Sequence, residues 1–469
     1  MRNHILYLFS FIFLAVLLSC NNKPGNQHDM LSPDGTIQLY FELLKQKPHY
    51  SIFYKQQELV IPSLLGFRFK DQAPLFDGLQ VDSVSKSSVD ETWQPVWGTD
   101  ASISNSYNQL IVNLSETDSL RRKFGLVFRV FNDGIAFRYY LPVQDNMNQF
   151  RISSEETEFN FAQDFSAWWI KGEFWTYERL YKQTPISQMS SANTPLTMQS
   201  ANGIYLSIHE AALTDYAGMT LKKKSDQKHA FYCELAPWPD GVKVIGQTPF
   251  VTPWRTIQIV DEPGKLIESH LIENLNEPCK IEDTSWIKPM KYVGIWWGMH
   301  IGKYTWYAGK KHGATTERAL SYMDFAAANG IKGILIEGWN LGWDTWSTEE
   351  NVQSFTIPYP DFDLPRLAAY AKKKGLYLIG HHESGGNIPE YEKQLTDALS
   401  LYQSLGIHAV KTGYAGRMYP KGQYRHGQWM VRHYRKVVQE AAKHQIMIDA
   451  HETDQAYRNK PHLAEYDDP

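Results

Sequence analysis

The hydrophobic period changes once along this chain of 469 residues, and that change limits what the chain can fold into. Ahead of Trp286-Ile-Lys-Pro289, short runs alternate apolar and polar residues, as in Ile37-Gln-Leu-Tyr-Phe41, Leu126-Val-Phe-Arg-Val-Phe131 and Ile135-Ala-Phe-Arg-Tyr-Tyr140. A period of two belongs to strands with one buried face. Turn sequences such as Ser32-Pro-Asp-Gly35 and Asn132-Asp-Gly134 punctuate the runs. Closely spaced short strands without a long helical pattern predict an antiparallel β-sandwich over 28–282.

Beyond Pro289 the pattern alternates between strand and helix. Apolar runs fall at 292–297, 333–339, 376–383, 409–414 and 446–452, with amphipathic segments at 317–329, 364–374, 391–405 and 430–444 between them. Gly330, Gly375 and Gly406 stand at helix ends, where a left-handed residue is needed. Such repeats build right-handed βαβ units and a parallel sheet. With no dinucleotide-type Gly-rich turn, the expectation is a (β/α) TIM-type barrel over 290–469. The predicted fold class is therefore multidomain, β plus α/β: a sandwich followed by a partial (β/α)8 barrel. Five strands are counted where a closed barrel needs eight.

Barrel active sites gather where strands finish. The second strand ends on Glu337-Gly-Trp-Asn340, the third on His381-His-Glu383, the fourth on Lys411-Thr-Gly-Tyr414 and the fifth on Asp449-Ala-His-Glu452. Charged residues at four successive strand ends suit glycoside hydrolysis, which needs one carboxyl to protonate the leaving oxygen and another to attack or to activate water. Glu383 and Glu452 are the candidates for the water-activating side. His381, His382, Lys411, His451 and Glu337 are candidate contacts to sugar hydroxyls. The His/Glu pairs are also metal-ligand types, but neither has the HExxH spacing of a zinc site. The 15 Trp, 27 Tyr and 22 Phe serve either a β-rich core or flat platforms for sugar rings.

The motifs resemble glycoside hydrolase family 97, the α-glucosidase and α-galactosidase family. The similar segments include Glu91-Thr-Trp-Gln-Pro-Val-Trp-Gly98, Leu206-Ser-Ile-His-Glu-Ala-Ala212, Thr252-Pro-Trp-Arg-Thr256, Asn274-Leu-Asn-Glu-Pro278, Lys291-Tyr-Val-Gly-Ile-Trp-Trp297, Glu337-Gly-Trp-Asn340, Pro358-Tyr-Pro-Asp-Phe-Asp363, His381-His-Glu383 and Ala450-His-Glu452. The resemblance implies a β-super-sandwich ahead of a catalytic barrel with calcium in the active site. It makes Glu178, on a sandwich loop, a calcium ligand, and Glu452 both a calcium ligand and a base. Retaining members of the family carry an Asp nucleophile where this chain has Gly413. The resemblance therefore implies inversion, with water attacking directly, and a substrate of starch-derived oligosaccharides. The alternatives are α-galactosidase activity and a carbohydrate-binding lipoprotein that does not cleave.

After Glu452 the sequence departs from the family pattern. Thr453-Asp-Gln-Ala-Tyr-Arg-Asn459 can be encoded so that a one-base shift reads Pro-Ile-Arg-Pro-Thr-Gly, the family's expected turn. The expectation is a frameshift beyond Glu452, loss of the general acid and little hydrolase activity.

At the other end, Arg2 and His4 precede an apolar run from Ile5 to Leu18 and then Leu17-Leu-Ser-Cys20. This reads as a lipoprotein signal over 1–19 with Cys20 as the lipidated residue, so membrane association is expected through the anchor alone, in the periplasm or outer membrane of a Gram-negative cell. Cys233 and Cys279 are expected to remain unbridged. The formal net charge of −4 offers no basic face to neutralise phosphates, so nucleic acid is not an expected partner.

Overall fold

A computed structural model describes residues 25, 27–346, 348 and 353–451. The predicted Cys20, Glu452 and the segment that follows it lie outside the described residues. Every strand pairing before Val260 is antiparallel. A ten-stranded sheet packs with smaller sheets over one continuous core that includes Phe41, Tyr50, Phe128 and Phe137. Two short helices, Gly264–Glu268 and Leu271–Asn274, lead out of the last of these strands.

Five parallel strands follow in sequential order: Tyr292–Ile295, Gly333–Ile336, Tyr377–Glu383, Ala409–Gly413 and Met447–Ala450. The helices Thr316–Ala328, Leu364–Lys374, Ile388–Ser404 and Gln428–Lys443 alternate with them. No closed barrel forms among the described residues. Of the boundaries that differ from the sequence reading, three have local reasons. The first strand stops at Ile295 because Trp297–His300 turns into a helix. The second stops at Ile336 because Gly338, at φ 77°, bends the chain in a conformation that favours glycine. The third helix begins at Ile388, three residues early, with Pro389 in its first turn, where its missing N–H would have no intrahelical partner anyway. Gly330, Gly375 and Gly406 have φ of 69°, 67° and 70°, as helix termination requires.

The parallel register sorts side chains by layer. Leu335, Ile379 and Ala409 pack with Met447 on the inner face. Ile334, Ile336, Leu378 and Val410 face the helices. One step further along the strands, the inner face carries Glu337, His381, Lys411 and Asp449, with His381 paired to Lys411 and Lys411 to Asp449. The next inner level pairs Glu383 with Gly413.

The last helix ties this sheet to the sandwich. Gln428 is fully buried and makes five hydrogen bonds across the junction. Its Nε2 donates to Asp215 O, Asp215 Oδ1 and Ile245 O, and its Oε1 accepts from Trp238 Nε1 and Ile245 N. Arg432 adds an ion pair to Asp215 at 2.6 Å, and Val431 joins the sandwich core. Gln428→Leu removes all five bonds and leaves the part-buried Trp238 indole N–H and Ile245 amide without this acceptor, so a loss of about 1–3 kcal/mol is expected in urea unfolding. A midpoint unchanged from the parent chain would show that the junction does not stabilise the fold.

Candidate active site

Glu337 is the most constrained charge at the strand ends. Its carboxylate is buried and accepts from Lys411 Nζ at 2.8 Å, with His381 Nε2 at 3.8 Å. Burial pushes its pKa up, but the neighbouring His381, Lys411 and His451 outweigh burial and hold it below the ordinary carboxylate value. Glu337 therefore stays ionised and is unsuited to donate a proton. Burial lowers His381 to about 4, so near pH 7 the imidazole is neutral, offers one donor and one acceptor, and leaves Lys411 as the charge that holds Glu337 ionised there; His381 adds its own charge only in acid.

The His381 ring lies in an aromatic column. Trp343 stacks on it at 5.9 Å and 14°, and Trp306 stacks on Trp343 at 4.8 Å and 12°. Trp343 Nε1 donates to Asn340 Oδ1, and Trp339 Nε1 donates to the His381 carbonyl. The Glu337-Gly-Trp-Asn340 turn thus orients the third strand's histidine, a role the sequence reading did not assign. The signal was present as three closely spaced Trp after Glu337.

Glu383, one layer above, is also buried. Its Oε1 accepts from the amides of Gly385 and Ala415 at 2.9 and 3.1 Å. The carboxyl group lies over the bare Cα of Gly413: a Cβ there would stand 2.8 Å from Cδ of Glu383 and closer still to Oε2. Gly413 belongs to a regular strand and does not have a positive φ. It is glycine because of the space its neighbour fills.

His382 is a correction. Alternation turns it away from the inner face and into the helix layer. Its Nδ1 is 3.0 Å from Tyr391 Oη, and its ring stacks on Tyr402 and meets Phe355 edge-on. Burial lowers its pKa to about 3. It is a fully buried core residue. His451 sits at the described end of the fifth strand, its amide donating to Thr412 O. Asp449, below it, accepts from Tyr292 Oη at 2.9 Å and links the fifth strand to the first.

Glu178 is exposed on a sandwich loop beside Ala415, Gly416 and Arg425. That loop is clamped by Arg425, which donates to Trp175 O, Tyr414 O and Gly416 O. Glu178 is thereby brought to the segment whose Ala415 amide holds Glu383. Among the described residues no three His, Cys, Asp or Glu side chains gather as a metal site. Cys233 and Cys279 are free thiols.

A sandwich joined to a strand-end site of carboxylates, lysine and histidine defines a carbohydrate-active class of protein, and the comparisons place it. Residues 30–278 match the profile described as Glycosyl-hydrolase 97 N-terminal, and 296–458 match Glycoside hydrolase 97. The chain belongs to glycoside hydrolase family 97 and is a glycosidase by descent. A family 97 enzyme from Pseudoalteromonas sp. strain K8, solved with panose and with acarbose, is 41% identical with a TM-score of 0.88. The match covers 92% of this chain and 67% of that one. The retaining alpha-galactosidase of Bacteroides thetaiotaomicron is 23% identical over 95% of this chain and 67% of its own. A probable retaining alpha-galactosidase of Streptomyces bingchenggensis is 24% identical over 83% of this chain and 56% of its own. This chain thus spans roughly two thirds or less of the relatives it matches.

Lys411→Met leaves the Glu337 carboxylate buried without its ammonium, so a loss of about 3–5 kcal/mol is expected at neutral pH. Glu337 has a depressed pKa in the parent chain, so its contribution is complete above the unfolded value and fades as pH falls through the folded one. In the variant the carboxyl takes up a proton more readily. Denaturant midpoints of the two proteins should therefore converge as pH drops below about 4. A gap independent of pH would contradict the charge assignment.

Proposed function

We propose that the site performs hydrolysis of α-glucosidic bonds in glucan oligosaccharides with inversion at the anomeric carbon. The observation that carries this reading is the Glu383 carboxyl filling the space above Gly413. A retaining mechanism needs a carboxylate that attacks the sugar and forms a covalent intermediate. A side chain at 413 has no room to be that nucleophile while Glu383 keeps its place. The glucosyl preference is supported by the 41% identical relative solved with panose, a trisaccharide of glucose. The relatives named as retaining alpha-galactosidases stand at 23% and 24% identity.

Each described residue has a task in this scheme. Glu383, oriented by the Gly385 and Ala415 amides, takes a proton from the attacking water, while the leaving glycosidic oxygen must take one from a general acid that no described residue supplies. The Glu337–Lys411 pair and neutral His381 hold sugar hydroxyls, the ammonium as donor and the carboxylate as acceptor. Glu452 would share the base role. Glu178 and Glu452 are the oxygen donors that would hold calcium. Bound calcium would supply positive charge to the sugar hydroxyls and to the water at the anomeric carbon. Export with a lipid on Cys20 belongs to the same proposal; mass spectrometry of the mature N-terminus tests it.

Proton NMR of a panose digest reads the stereochemistry directly. The β-anomer of the newly formed reducing sugar is expected first, and accumulation of the α-anomer, or release of galactose from a galactoside instead, would overturn the proposal. Glu383→Gln should lower kcat by about 10²–10⁴-fold with a much smaller change in KM.

A further inference from the structure

The outward face of the ten-stranded sheet carries a row of residues that no barrel chemistry uses. Strand pairing aligns Glu91 with Asn105, Gln109 with Arg129, Val127 with Arg138 and Thr256 with Ala136. By alternation Glu91, Asn105, Tyr107, Arg129, Arg138 and Trp254 share that face. The outer face of a sandwich sheet ordinarily meets water with small polar side chains. Here Tyr107 and Trp254 are buried beneath two guanidinium groups. Arg129 lies 4.5 Å from the Tyr107 ring and 4.7 Å from that of Trp254, and Arg138 lies 4.4 Å from Trp254.

A cavity of about 830 Å³ opens over this row. It is roofed by the 93–100 loop and the 270–284 segment, which hold each other through Trp93 Nε1 donating to Asn274 Oδ1 at 2.8 Å. Such a volume falls within the usual range for small-molecule sites.

The polar groups in the cavity are incompletely matched. Asn105 is 7% exposed and Trp254 1% exposed, yet Asn105 Oδ1 and Trp254 Nε1 have no hydrogen-bond partner among the described residues. Arg138 Nε is likewise without a hydrogen-bond partner among the described residues. Burial lowers the pKa of both arginines, so each gains from an acceptor that replaces lost water. The lining sets four carboxylates, Glu91, Asp100, Glu273 and Glu277, against two guanidiniums. An anion entering there would meet more negative than positive charge. A neutral polyol meets donors on the floor, acceptors on the wall and an exposed indole, Trp97 at 38% exposure, at the mouth.

We propose that this cavity is a second carbohydrate site, outside the barrel, that binds a neutral oligosaccharide of the class hydrolysed there. Only the choice of sugar rests on the glucosidase reading; the site itself rests on the sandwich.

Titration calorimetry of the full chain with maltoheptaose, beside its Trp97→Ala and Arg138→Ala variants, tests the proposal. Trp97 is an exposed loop residue whose truncation leaves the core intact, so it keeps the test valid if Arg138→Ala fails to fold. The expected result is binding by the parent chain that weakens at least tenfold in Trp97→Ala, and in Arg138→Ala where that variant folds. Equal affinity in the parent and Trp97→Ala, no binding by the parent, or binding of citrate in preference to the sugar would overturn it. Panose hydrolysis is followed in the same samples. Its failure alongside Trp97-dependent binding would count against the barrel reading alone, and the reverse result against the cavity alone.

Discussion

Parallel strand register is the constraint on which the rest of this molecule depends. Because residues alternate faces along each strand, one offset decides the contents of every inner layer. The Leu335/Ile379/Ala409/Met447 level is apolar. The level above it is charged, with His381 beside Lys411 and Lys411 beside Asp449. The third sets Glu383 against Gly413. A slip by one residue would send His381 and Glu383 into the helix layer and bring His382 to the sugar side.

The sandwich is part of the site's support. Gln428 and Arg432 bind Asp215 and the Ile245 backbone, and Arg425 clamps Trp175 O. The same loop runs on to Ala415, whose amide orients Glu383. Deep in the sandwich, Arg255 is fully buried between Glu155 and Glu210, and Glu210 also accepts from the Met219 amide. The preceding amide, that of Gly218, donates to His426 O on the barrel side. The barrel-side segment after Tyr414 is therefore positioned by contacts that originate in the other half of the chain.

Much of this was legible in the sequence. The change of period at Pro289, the five apolar runs and the glycines at 330, 375 and 406 all correspond to observed features, because each follows from short-range stereochemistry. Glu337, His381 and Lys411 were legible as strand-end polar residues. His382 was misread because two adjacent histidines look alike until alternation assigns them opposite faces. The Trp343 stack on His381 was not readable, since it joins two loops and a strand. The aromatic–arginine row of the sandwich was hidden for the same reason: its members come from five strands and align only through pairing.

A double-mutant cycle on Glu383 and Gly413 tests the central claim, that the Glu383 carboxyl is what excludes a side chain at 413. Urea unfolding would be measured for the parent, Gly413→Ala, Glu383→Ala and the double variant. Overpacking predicts that Gly413→Ala costs about 1–3 kcal/mol with Glu383 present. It should cost much less once Glu383 is truncated, giving a coupling energy of about 1 kcal/mol or more. Equal costs in the two backgrounds would contradict the account, because Gly413 would then be glycine for a reason unconnected with the carboxylate above it.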